Sequence, residues 1–260
     1  MRKVTVTFDS NVWENIVDET KRSKYEIYIC LYESIKTGTI EPFFFEGIAT
    51  LESIPKNDRK DYIKHYRATI SFQVNANKPH ITKGSDAPEI TDYLHQQIPK
   101  AIKLGFRFIT FPRVGAPRLN IEESYFASDK IYPLQDRLDR TCECARFVES
   151  LGAGKFKLHN RLDGSASIGI IRQTAEDVSL TEKQYAKHVG EWVDGDALSA
   201  HYGYGLDYFC TNDKARGAGT TSVFSPNNLQ KLRIKFGIEV VSPQELLNLL
   251  ERKHNVNENV

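Results

Sequence analysis

The residues best placed to do chemistry are acids at the ends of apolar runs. Asp9 follows the alternating run Lys3–Phe8, and Glu46 follows the apolar run Ile40–Phe45. Glu52 lies about one and a half turns further on. Asp213 closes a third run, Asp207–Thr211, and Asp196, preceded by Asp194, heads the helix expected before it. In an open parallel sheet, ligands bind beyond the carboxyl ends of the strands. Four separate elements therefore aim Asp9, Glu52, Asp196 and Asp213 at one edge, with Glu46 and Asp194 beside them. Carboxylates gathered this closely repel and raise one another's pKa, and a cation relieves the repulsion. Hard oxygen ligands with open positions suit Mg2+ or Mn2+. Taken singly, each acid is better explained as a helix cap, worth about 0.3–1 kcal/mol. Caps explain one such acid; four on separate strand-to-helix junctions point to a shared site.

The elements that must position these acids follow from hydrophobic period and punctuation. A strand at Lys3–Phe8 ends at Asp9-Ser10-Asn11, and a helix begins near Asn11. A second helix is predicted over Lys24–Thr37, with Ile27, Leu31 and Ile35 in one stripe and Gly38 as terminator. The strand Ile40–Phe45 runs into a helix over Gly47–Ser53 that Pro55 breaks. Residues 55–77 are charged with mixed periodicity and receive no assignment. A helix over Glu89–Leu104, a strand over Phe106–Phe111 and a helix over Gln135–Leu151 follow. Residues 152–179 are glycine- and polar-rich, with a short strand expected at Ile168–Ile171. Thr181–Val189 reads as a helix and Asp196–Tyr202 as the opening of another. Ser225-Pro226 starts a helix to Phe236, Ile238–Val241 is a last strand, and Ser242-Pro243 starts a terminal helix over Gln244–Arg252. Such strand–helix alternation predicts an α/β fold: three α/β/α layers, Rossmann-like, around a central, mainly parallel sheet.

Composition removes several classes of function. The chain has 260 residues, 40% hydrophobic and 27% charged, with 14 Phe, 12 Tyr and two Trp, which excludes a disordered chain. Its formal net charge of +1 argues against gripping nucleic acid by bulk charge. Four cysteines are too few for a disulfide scaffold of this length and fit no zinc spacing, so reduced thiols in a cytoplasmic protein are expected. No apolar run is long enough to span a membrane. His188, Glu191 and His201 do not fit a zinc template. Gly152-Ala153-Gly154-Lys155 lacks the spacing and the Ser/Thr of a phosphate loop. One domain over 1–252 is expected, with the middle region 55–184 packed on a core of 1–54 and 185–252 and a flexible tail at 253–260.

Four phrases, in order, resemble the PIN-domain family of metal-dependent ribonucleases. FDSNVW resembles the family's opening strand, Asp and Asn; FEGIATLESI resembles the second-strand-to-helix segment, with Glu46 at its usual Ser/Thr position and Glu52 at its Glu position. DALSAHYGYGLDYFCTNDKAR resembles the helix, short strand and T-x-D signature, and FGIEVVSPQELL the last strand and helix. The likeness is to toxin-type members, with a longer middle region. It implies a Mg2+- or Mn2+-dependent endoribonuclease acting on single-stranded or structured RNA, leaving 5′-phosphate and 3′-hydroxyl ends. Carried over by position, Asp9, Glu52, Asp196 and Asp213 are the metal-binding acids, with Asp194 as the alternative to Asp196; Asn11 and Thr211 support them, and Glu46 stands next to them. Lys214 and Arg216 after the last acid, and Arg113 and Arg118 around the proline loop after the third strand, are candidates to hold the RNA backbone. A protein partner such as an antitoxin, and a homodimer, stay open as further partners. The alternative class is a non-catalytic PIN-like module that binds RNA or protein; losing one of the acids would mark it, and all four are in place here.

Overall fold

In the computed structural model of the chain, residues 3–61, 70–75, 78–83, 91–111, 121–155, 181–213 and 222–258 are described. The central sheet has five strands: β1 (Val4–Phe8), β2 (Ile40–Phe45), β5 (Arg107–Ile109), β6 (Tyr208–Cys210) and β7 (Val240–Val241). Every pairing is parallel, and the order is β5-β2-β1-β6-β7. A separate antiparallel hairpin joins β3 (Ile70–Asn75) and β4 (Lys78–Lys83). The strand order reverses direction at β1, so the crevice between the carboxyl ends of β1 and β6 is the switch point where such sheets bind ligands.

Side-chain alternation in each strand builds two cores, one on each face. Val4, Val6 and Phe8 of β1 join Ile40 and Phe44 of β2 on the first face. Helices α1 (Ser10–Val17), α3 (Glu26–Lys36), α5 (Asp92–Leu104) and α9 (Pro243–Glu258) cover it with residues such as Trp13, Leu31, Ile98 and Leu246. Short α2 (Glu19–Arg22) bridges α1 and α3. Phe43 and Phe45 of β2, Ile109 of β5 and Phe209 of β6 face the other way. There they meet α6 (Leu134–Ser150), α7 (Glu182–Tyr204) and α8 (Pro226–Phe236) through Val148, Trp192 and Leu232. The result is the expected three-layer α/β/α arrangement.

The register of β1 against β6 is fixed by polar bonds. Thr5 donates from its amide and its hydroxyl to the Asp207 carboxylate, both at 2.9 Å. One step on, the Thr7 hydroxyl meets His201 Nδ1 of α7 at 2.9 Å in a fully buried pair. Burial pushes the His201 imidazole down to about 3, against the opposing pull of Asp207. Helix α6 approaches α7 so closely at Gly203 that a Cβ there would overlap the Thr141 side chain and come within 2.9 Å of the Arg137 carbonyl.

Several boundaries differ from the sequence expectation. The two helices expected over Thr181–Val189 and Asp196–Tyr202 are one 23-residue helix, α7, opened by a Thr181–Gln184 capping box. Gly190 and Gly195 weaken the pattern without breaking the helix, because Val189, Trp192, Val193, Leu198 and Ala200 keep its faces buried. The helix expected over Lys24–Thr37 begins at Glu26, after α2. Helix α4 (Gly47–Thr50) is shorter than expected, and the predicted strands shrink to their paired centres. The terminal helix runs on to Glu258, since no Pro or Gly interrupts it. The strand expected at Ile168–Ile171 lies outside the described residues. All four cysteines are free thiols, and no described helix is long and apolar enough to cross a membrane.

Candidate acid site at the switch point

Asp9 leaves β1 in extended backbone and caps α1. Its Oδ1 accepts from the Ser10 amide at 2.7 Å, and its Oδ2 accepts from Asn11 Nδ2 at 2.7 Å and Thr211 Oγ1 at 2.6 Å. The Thr211 hydroxyl accepts in turn from the Asp213 amide at 2.9 Å. Asn11 Oδ1 accepts from the Asn212 amide at 2.9 Å, and Asn212 Nδ2 donates to Tyr28 Oη at 2.9 Å. Asn11 and Thr211 thus do what their positions suggested: they fix Asp9 and stitch the end of β6 to the start of α1. Asp213 is exposed beside them.

Glu52 reaches the same place from the β2 side. Gly47 permits this, since a Cβ there would sit 2.6 Å from the Phe45 ring and 2.9 Å from Val193 Cγ1 of α7. Close approach of α4 to α7 sets the Glu52 turn against the stretch of α7 that carries Asp194. Burial raises the Glu52 carboxyl to about 7, the Asp9 charge adds to the rise, and Arg59 and the Ser10 hydroxyl oppose it. Burial raises Asp9 too, against hydrogen bonds from Thr211 and Ser10, and the Asp213 charge adds to the rise. Asp194 is held well above the ordinary carboxylate range, first by burial and then by the charges of Asp9, Glu52, Glu191 and Asp213. Asp9, Glu52, Asp194 and Asp213 therefore form one electrostatic group.

Asp196 is a correction. It lies mid-helix, not at a helix head, and two residues along an α-helix turn it about 200° from Asp194. It is 3% exposed and accepts from Trp192 Nε1 at 2.7 Å. Asp194 is the residue of this pair that faces the other acids. Glu46 is buried and accepts from the Phe111 amide at 3.0 Å, which ties the end of β2 to the chain leaving β5. Lys214, Arg216, Arg113 and Arg118 lie outside the described residues.

Three further participants were not placed in the acid site from the sequence, Glu191 having been weighed only against a zinc template. Ser10 touches both Asp9 and Glu52. Glu191 sits three residues before Asp194 on the same side of α7, acts on it by charge, and accepts from the Val223 amide at 2.5 Å. The i, i+3 spacing of Glu191 and Asp194 was a usable signal. Arg59, in the unassigned charged stretch, carried none.

The donors are all carboxylate oxygens, the chemistry a hard divalent cation prefers. The raised proton affinity of Asp9, Glu52 and Asp194 is what a site whose neutralising charge comes from outside the chain would show. As the side chains stand, no group of three or more described His, Cys, Asp or Glu residues is preassembled to ligate a metal. No protein-family model matches the chain, and no curated protein or solved structure matches it significantly.

Proposed function

We propose that the chain is a Mg2+- or Mn2+-dependent endoribonuclease of PIN-domain type, cutting single-stranded or structured RNA to leave 5′-phosphate and 3′-hydroxyl ends. The observation that supports this reading most is the electrostatic grouping of Asp9, Glu52, Asp194 and Asp213 at the switch point of a parallel sheet. Those four residues would hold the ion, with Asp194 in the place first given to Asp196. Bound there, a divalent ion supplies an acidified water and charge stabilisation for in-line displacement at a phosphodiester. Asn11 and Thr211 hold Asp9 Oδ2 in one orientation, so Asp9 meets a ligand with little reorganisation. Because Glu52 is held up to about 7, ion binding releases protons and strengthens as pH rises through neutrality. Lys214, Arg216, Arg113 and Arg118 would carry the RNA backbone, since phosphate contacts dominate affinity. The free thiols accord with work in a reducing cytoplasm.

The test is incubation of the purified chain with a mixed RNA pool and Mg2+ or Mn2+, with mapping of the cut ends. The expected result is cleavage that chelation abolishes and Asp9→Asn stops. Binding of RNA without any metal-dependent cleavage would favour the non-catalytic module instead.

A further inference from the structure

Arg59 belongs to a charged stretch after Pro55, yet it is only 7% exposed. Its guanidinium donates to three backbone carbonyls: Nε to Ile54 at 2.9 Å, Nη2 to Glu52 at 2.8 Å and Nη1 to Ala186 at 3.4 Å. The first two carbonyls belong to the turn that carries Glu52. The third belongs to α7, the helix that carries Asp194. That turn has little regular structure of its own. Helix α4 is four residues long, and the Leu51 and Glu52 amides both bond to the Gly47 carbonyl. Pro55 follows, so no helical ladder continues to fix the turn. A planar guanidinium with five donors spans separate carbonyls without rearranging, whereas an ammonium offers one donor centre. Its charge also acts on the Glu52 carboxylate.

We propose that Arg59 is a positioning residue that clamps the Glu52 turn onto α7, so that the Glu52 carboxylate stays turned toward Asp9 and Asp194. The inference rests on the acid-pocket reading of the function. Arg59 touches neither ion nor substrate in this role; it acts through Glu52.

The experiment compares the full wild-type chain with Arg59→Met and Arg59→Lys, well below their unfolding temperatures. Mn2+ affinity is measured by calorimetry, and amide hydrogen exchange is followed over residues 47–59. Loss of a group that orients a metal ligand typically weakens affinity by roughly 10–100-fold. Arg59→Met should fall in that range, with faster exchange at Leu51 and Glu52 and little change in the sheet. Arg59→Lys keeps bulk and charge but not the span, so it should recover only part of the affinity; it decides the matter if the Met variant folds poorly. Unchanged affinity and unchanged local exchange in a folded variant would overturn the proposal, as would exchange rising evenly along the chain. If the wild type binds no Mn2+, the acid-pocket reading fails, and exchange alone judges the clamp: acceleration confined to 47–59 supports it, and none overturns it.

Discussion

Replacing Glu52 with Gln should stabilise the metal-free protein at neutral and alkaline pH and leave it unchanged in acid. Unfolded, Glu52 loses its proton near its ordinary 4.5; folded, burial and the Asp9 charge hold the proton to about 7. Between those values the folded state binds more protons, so stability falls as pH rises through the window and the loss is complete above it. Each tenfold change in proton affinity is about 1.4 kcal/mol, which gives about 3 kcal/mol at most for this carboxyl. Because Glu52 is half-buried, solvent screening reduces the expected effect to about 2 kcal/mol. Gln cannot ionise, keeps the shape and still accepts from Ser10. Its gain over wild type should therefore be near zero at about pH 4 and about 2 kcal/mol at about pH 8, roughly 4–8 °C in Tm for a chain of this size. Urea unfolding in the presence of a chelator, at several pH values, measures it. Groups outside the acid cluster are common to both proteins and cancel in the difference, whereas loss of the Glu52 charge also relieves Asp194 and adds to the alkaline gain. A Gln variant that is less stable at alkaline pH, or whose effect is the same in acid and base, would refute the reasoning.

Three further outcomes follow from the packing. His201, lowered from 6.5 to about 3 by burial, resists protonation in the fold, so stability is lost as pH falls through that window, by about 5 kcal/mol at most; His201→Gln should flatten the acid limb of the pH–stability curve, and an unchanged slope would contradict the buried neutral imidazole. Gly203→Ala pushes a methyl group into Thr141 and the Arg137 carbonyl and should cost about 1–3 kcal/mol by chemical denaturation. Asp196→Ala leaves the buried Trp192 indole without its carboxylate and should destabilise by about 1–3 kcal/mol, seen as a lower melting temperature.

Much of this architecture was legible from local patterns. The runs at Lys3–Phe8 and Ile40–Phe45 alternate or stay apolar as buried parallel strands do, and α5 and α8 stop at the glycines that mark their ends. Asp9, Asn11, Thr211 and Asp213 were legible because each is fixed by its distance from a strand end. Asp194 and Asp196 were not separable in the sequence. Two residues apart, they exchange roles with the phase of the helix, and that phase depended on whether α7 ran unbroken through Gly190 and Gly195. Its continuity comes from burial on both sides, a tertiary effect that propensity does not carry. Arg59 was hidden for a different reason: its partners are backbone carbonyls, which leave no trace in residue identity. The hairpin β3–β4 begins inside the unassigned stretch 55–77, although Ile70–Asn75 alternates apolar and polar residues.

The most direct test of the central claim is the RNA cleavage rate of Asp194→Asn beside Asp196→Asn at saturating Mn2+. Both variants remove one carboxylate from α7, two residues apart, and the second still offers Trp192 an amide oxygen. The account predicts that Asp194→Asn abolishes cleavage while Asp196→Asn retains most of it wherever the protein is folded. Loss of cleavage in the folded Asp196 variant with activity intact in the Asp194 variant would contradict it.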